Sequence, residues 1–192
     1  DNGGADLNDT MKRHNMKKNT FTLLLLGILV LGSLPMLGAP GIRSVVPSTE
    51  DVLAYTIASP INVTGDSELA SVAQYGSGTE GDPYVVDGLN ITSDGSCIAL
   101  YNTTAWVVIQ HCFLTATTQH ENRGTLYSDP HGILLQNVSH CIISDCTISN
   151  KSLGIRFWES TDCMALGNNI HNCTWWPVHV GYSMDILVRG SE

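Results

Sequence analysis

Apolar residues recur along this chain on two scales. Three stretches superimpose: GILLQNVSHCIISDCTI from Gly132, GIRFWESTDCMALGNNI from Gly154 and CIALYNTTAWVVIQHCFL from Cys97. Gly132 and Gly154 are 22 residues apart, and a weaker fourth copy begins 23 residues later at Pro177. Within a copy the apolar residues take the second, fourth, twelfth and seventeenth places: Ile133, Leu135, Ile143 and Ile148, then Ile155, Phe157, Ala165 and Ile170. Local alternation predicts short strands, with Ile133 and Leu135 pointing inward and Leu134 and Gln136 outward. A period of roughly 20 to 25 residues built of such strands marks a solenoid, in which one repeat is one turn that cannot bury its own core.

The first copy carries one extra residue between Asn102 and Leu114. A longer polar insertion, Thr115 to Pro130, separates it from the second. Long excursions from a rigid scaffold are where function concentrates, although solenoids also tolerate purely decorative loops. Upstream, residues 59–92 predict an N-terminal cap and first turn. They contain a strand at Ile61, Asn62 and Val63, a short helix over 66–74 capped by Asp66 or Ser67, and a loop over 76–83. Strands follow at 84–86 and 89–91. Residues 41–58 read as a linker and 93–192 as the coils. The fourth coil stops at Glu192 with no covering segment, so a further C-terminal part of the same protein is expected to close that end.

Residues 1–40 read as a leader. Lys12, Arg13, Lys17 and Lys18 precede an apolar run from Phe21 to Leu34 and the small-residue exit Leu37-Gly38-Ala39. That order describes a secretory signal peptide whose start is Met11 or Met16. The run is short of the roughly 20 residues of a membrane span, so an uncleaved anchor is the alternative and the one expected link to a membrane. The expected location is therefore extracellular or at the cell surface. Removing the leader takes nine basic residues to five and eighteen acidic ones to fifteen, a mature net charge of −10. That balance argues against nucleic acid and against docking on anionic lipid.

GSGTEGDPYVVDGLNIT, followed by G-I-x-L…I-x-x-C/N-x-I turns, resembles the NosD-type right-handed parallel β-helix repeat proteins, a group that includes carbohydrate-binding and sugar-hydrolase members and archaeal surface proteins. The resemblance covers residues 60–192. It implies an all-β, right-handed parallel β-helix (a solenoid) with a short helical N-terminal cap. The family often places Asn where this chain has Cys141, Cys163 and Cys146, and Asn168 keeps the family residue. The NosD likeness also implies copper delivery, yet no H-x-H or M-x-x-M cluster accompanies it. No cofactor is expected.

Six cysteines lie between Cys97 and Cys173. Alignment of the copies puts Cys141 over Cys163 and Cys112 over Cys146. Neighbouring coils stand ~4.8 Å apart, a separation that a disulfide accepts. Buried thiols, disulfides and a soft-metal ladder all remain open readings. Six N-x-S/T triplets, at Asn62, Asn90, Asn102, Asn137, Asn150 and Asn172, are glycosylation candidates.

Outward positions after the repeat starts carry Tyr101, Gln136, Arg156, Trp158 and His179, and the insertion adds His120, Glu121, Arg123, Tyr127, Asp129 and His131. Aromatic rings stack on sugars and Arg pairs with carboxylates, so these residues form a candidate surface for a polysaccharide or surface glycan. Tyr127-Ser128-Asp129-Pro130-His131 resembles the D-P-H core of β-helical uronate epimerases and lyases. The resemblance implies that Asp129 positions or neutralises the sugar carboxylate, that His131 and Tyr127 exchange the proton, and that Arg156 holds the carboxylate. Gly132 departs from the pattern, as does the short spacing to Tyr127. Polygalacturonase-like hydrolysis needs clustered aspartates, whereas Asp145 and Asp162 fall at different places in the coil. The leading expectation is a glycan-binding or structural envelope module. The alternatives are a uronate epimerase or lyase and a copper-delivery protein.

Overall fold

The computed structural model describes residues 55–118 and 129–191, all within one compact unit, Thr49–Glu192. The leader and the insertion residues His120, Glu121, Arg123 and Tyr127 lie outside the described residues.

The strands form three parallel sheets, and the chain visits them in rotation. Sheet 1 holds β1 (Thr56–Ile57), β4 (Leu89–Thr92), β7 (Phe113–Thr115), β10 (Thr147–Ser149) and β13 (Asn169–His171). Sheet 2 holds β2 (Ile61–Thr64), β5 (Ile98–Thr103), β8 (His131–Val138), β11 (Leu153–Trp158) and β14 (Trp176–Gly181). Sheet 3 holds β3 (Tyr84–Asp87), β6 (Val107–Gln110), β9 (Cys141–Ser144), β12 (Thr161–Leu166) and β15 (Met184–Arg189). Every pairing between these strands is with the strand one coil away, as a β-helix requires. The register matches the repeat alignment: Ile98 pairs with Ile133, Ile133 with Ile155, and Ile155 with Val178. The segment read as a linker ends inside the fold, since β1 pairs with β4.

The core is the column of inward positions, with Ile98, Leu100, Ile133, Leu135, Ile155 and Phe157 on sheet 2 wholly buried. Each repeat starts with glycine because its corner is full. A Cβ on Gly132 would lie 2.3 Å from Ile148 Cγ2 and 2.6 Å from the Gly154 carbonyl oxygen; one on Gly154 would lie 2.3 Å from the Pro177 oxygen.

The other corners need a left-handed residue once per coil. Asn102, Asn137, Glu159 and Tyr182 form one such column, and Gly88, His111, Asp145, Gly167 and Gly190 another, all with φ between 49° and 62°. Asn and Asp tolerate this region better than most residues. The Asn-rich triplets at Asn102, Asn137, Asn150 and Asn172 therefore have a backbone cause, since all four are left-handed. Asn137 Nδ2 donates to Asn102 Oδ1 at 2.8 Å and Asn150 Nδ2 to Thr115 Oγ1 at 3.3 Å. Asp145 and Asp162 occupy different columns, as the alignment indicated.

Inward corner side chains close the ladder between coils. Asn168 Oδ1 accepts from the Cys146 amide and its Nδ2 donates to the Ile143 carbonyl, both at 3.0 Å. Ser160 Oγ accepts from the Val138 amide at 3.2 Å. Sulfur takes the same corners elsewhere. Registers Phe113↔Thr147 and Ile142↔Met164 put Cys112 beside Cys146 and Cys141 beside Cys163. All six cysteines are free thiols in this structure. Burial, with Cys163 alongside, pushes the Cys141 thiol well up.

One helix, α1 (Asp66–Val72), buries Leu69 against the first coil. It is shorter than the predicted 66–74, and neither Asp66 nor Ser67 caps it; the N-cap is Gly65. Asp66 begins the helix and sends its carboxylate to the first coil instead. It accepts from the Thr104 amide at 2.8 Å, the Thr104 hydroxyl at 2.9 Å and the Ala105 amide at 3.1 Å. These residues lie where the first copy carries its extra residue.

Candidate functional site

The outer face of sheet 2 gathers most of the unusual side chains. Gly132 faces the filled corner and Ile133 faces the core, two inward residues in succession. The strand's alternation therefore resets there, and His131 is left on the outside. The outer face then carries His131, Leu134 and Gln136 on β8, Leu153, Arg156 and Trp158 on β11, and Trp176, His179 and Gly181 on β14. They stand in rows, with His131↔Leu153↔Trp176, Leu134↔Arg156↔His179 and Gln136↔Trp158↔Gly181 in register. Tyr101 extends the last row, opposite Gln136.

Outward does not mean exposed on this face. Ala99, His131, Leu134, Leu153 and Arg156 all point away from the core, yet they retain between 0% and 6% of their surface. Asp129, two residues before His131, is buried as well. Exposure returns one coil later, with Trp176 at 39% and Tyr182 at 81%. Part of the face is thus closed, and its border with the last described coil is open and aromatic.

The rings at that border form one connected set. Trp175 stacks on Trp176 at 4.6 Å between centroids, and Trp176 stacks on His179 at 5.1 Å. His179 lies nearly parallel to Trp158 at 6.3 Å, while Tyr182 meets Trp158 edge-on at 4.7 Å. Arg156 Cζ sits 4.5 Å above the Trp158 ring. The indole lies across bare backbone, since a Cβ on Gly181 would come within 2.6 Å of it. Such guanidinium–indole contacts contribute about 0.5 to 2 kcal/mol according to burial.

His131 is the most perturbed group. Its Nδ1 is 3.2 Å from Ser96 Oγ, and its Nε2 is buried without a hydrogen bond. Burial first, then the charges of Arg156, His179 and Lys151, bring its pKa down to about 3, so the imidazole is neutral at physiological pH. His179 is lowered by burial and by Arg156, and its Nδ1 is likewise buried and without a hydrogen bond. Lys151 is fully buried beneath this region, donating to the Ser93 and Gly95 carbonyls at 2.5 and 2.9 Å.

Of the sequence-derived site residues, His131, Arg156, Trp158 and His179 come together. Tyr101 and Gln136 lie in the adjoining row, and Asp129 is buried close by in sequence. Tyr127, His120 and Arg123 lie outside the described residues. The sequence reading missed Trp175, Trp176, Tyr182 and Lys151. The adjacent tryptophans immediately before the fourth repeat start were the available signal; nothing in the pattern marked Lys151 as buried. Among the described residues, no three of His, Cys, Asp or Glu come together as a metal site.

Stacked single-turn repeats with one elaborated outer face define a β-helical solenoid whose working surface is a sheet face, not an internal cleft. The chain belongs to the right handed beta helix region family, which matches residues 75–192. No curated protein and no solved structure matches it.

Proposed function

We propose that this β-helix is a secreted or cell-surface module that binds glycans on the outer face of sheet 2. The observation that carries the reading is the connected aromatic patch of Trp175, Trp176, His179, Trp158 and Tyr182, with Trp176 and Tyr182 open to solvent. Flat rings with one apolar surface and a polar edge suit the C–H faces of sugar rings, and contiguous exposed apolar patches mark interaction sites. The acidic mature chain and the basic–apolar–small leader support a location outside the cell.

The epimerase or lyase alternative draws less support. Proton transfer beside a sugar carboxylate needs direct reach of the base to its proton, and Asp129, His131 and Arg156 are all buried. Copper delivery gains nothing from the described residues, which offer no three-ligand cluster.

The test is calorimetric titration of the full chain with a panel of neutral and acidic oligosaccharides, repeated with Trp176→Ala and Tyr182→Ala. Loss of one stacking ring is expected to weaken binding about tenfold, on the basis of roughly 0.5 to 1.5 kcal/mol per aromatic contact beyond its buried area. A wild-type chain that binds nothing on the panel, with an intact fold by circular dichroism, sinks the reading and leaves a structural envelope role.

A further inference from the structure

The closed part of the sheet 2 face holds an excess of positive and hydrogen-bonding groups with capacity to spare. His131 Nε2, His179 Nδ1 and Ser152 Oγ are buried and make no hydrogen bond. Native proteins satisfy nearly all such groups, so each unsatisfied one needs an explanation, and a ligand that supplies the missing partner is one. The residues that set the field come from four separate segments. Arg156 is on β11 and His179 on β14, Lys151 precedes β11, and Ser96 meets His131 from the turn before β5. Asp129, two residues before His131, is the acidic group of this stretch. The charges acting on His131 are nonetheless all cationic: Arg156, His179 and Lys151. A metal ion would be repelled there, whereas an anion would be attracted.

We infer that His131, His179 and Arg156 form an anion subsite at the inner border of the aromatic patch, fitted to the carboxylate or sulfate group of an acidic glycan and taking up a proton as that group binds. This rests on the glycan reading for its occupant but not for its chemistry. The rings of Trp176 and Trp158 flank His179, so a sugar seated on the patch would carry its acidic substituent toward the histidines. In the empty site the neighbouring cations hold His131 neutral. An anion placed among them reverses the balance at the imidazole and favours its protonated form. The proton comes from solvent, and no covalent bond changes. Affinity for the anion must therefore rise as pH falls, by up to about tenfold per pH unit for each proton taken up.

The experiment titrates the full chain at pH 7.5 and pH 5 with three probes: trigalacturonate, its carboxyl-reduced neutral counterpart, and potassium sulfate. Each titration is run in two buffers of different ionisation heat, which counts protons directly. Expected is preferential binding of trigalacturonate over the reduced sugar, tighter at pH 5 by at least several-fold, with net proton uptake. His131→Gln and His179→Gln should each reduce that uptake. If His131→Gln does not fold, His179→Gln carries the test, because His179 lies on the half-exposed last coil. Equal binding of the acidic and reduced sugars, or binding without proton uptake, overturns the subsite and leaves the glycan reading intact. Sulfate binding with proton uptake while neither sugar binds supports the subsite and overturns the glycan reading. No binding of any probe overturns both.

Discussion

Replacing Gly154 with alanine tests whether the coil-start glycine is a packing requirement. The new Cβ would lie 2.3 Å from the Pro177 carbonyl oxygen and 2.4 Å from Ile170 Cγ2. Nonbonded heavy atoms settle at roughly 3.5 to 4.0 Å, so relief needs a displacement of about 1 Å. The oxygen belongs to the backbone of the next coil, held by the Ile155↔Val178 and Arg156↔His179 register. Ile170 is itself core, at 5% exposure. Neither neighbour can move without opening the ladder between β11 and β14. Overpacking of this kind costs about 1 to 3 kcal/mol, and the backbone contact places Gly154→Ala at the upper end. Reduced freedom of the unfolded chain offsets only about 0.4 to 1 kcal/mol. The net loss, about 2 kcal/mol, should lower Tm by roughly 4 to 8 °C in a domain of this size. Gly81→Ala is the control: no atom lies within 4 Å of its added Cβ, so stability should be unchanged or slightly raised. Urea unfolding followed by circular dichroism reads both. If Gly154→Ala unfolds within about 0.5 kcal/mol of wild type, the ordinary range for surface changes, the corner is not filled as described and the packing account of the repeat is wrong.

Two further changes probe the corners. Asp66→Ala removes three hydrogen bonds to Thr104 and Ala105, at a cost of about 2 kcal/mol near neutral pH. Burial raises the Asp66 carboxyl, but hydrogen bonds from Ala105 and Thr104 outweigh this and its pKa is lowered. A lowered carboxyl stabilises the fold above its unfolded value, about 3.9, and that stability fades as pH falls through the lower folded value. The gap between wild type and variant should thus hold from pH 7 to 5 and narrow below about pH 4; a gap undiminished at pH 2 would refute the carboxylate's role. Asn168→Leu strands the buried Cys146 amide and Ile143 carbonyl and should cost about 2 to 4 kcal/mol in urea unfolding. A loss no larger than that of Cys146→Ala would show that the asparagine is not closing the ladder.

Much of the fold was legible because a solenoid writes its packing into its period. Ile133, Ile155 and Val178 occupy one inward column, so their 22- and 23-residue spacing could be read without coordinates. The same period located the extra residue of the first coil and the corner cysteines. Local chemistry was a weaker guide at the cap. Asp66 is a good capping residue by type, yet Thr104 and Ala105, distant in sequence, offered its carboxylate better partners.

The candidate site divides along the same line. Alternation along a strand states which way a side chain points, so Arg156, Trp158 and His179 could be placed on the outer face from sequence alone. It cannot state what covers that face. Only the tertiary structure showed that Arg156, Leu134 and His131 are buried although they point outward, and that Trp176 and Tyr182 border them in the open. The filled corner at Gly132 resets the alternation and puts His131 outside; that corner is closed by Ile148 and by the carbonyl of Gly154, 16 and 22 residues away. The sequence by itself determined the coil, because each repeat must bury the same few positions. The tertiary structure decided the site, because burial and charge there depend on residues brought together from different coils.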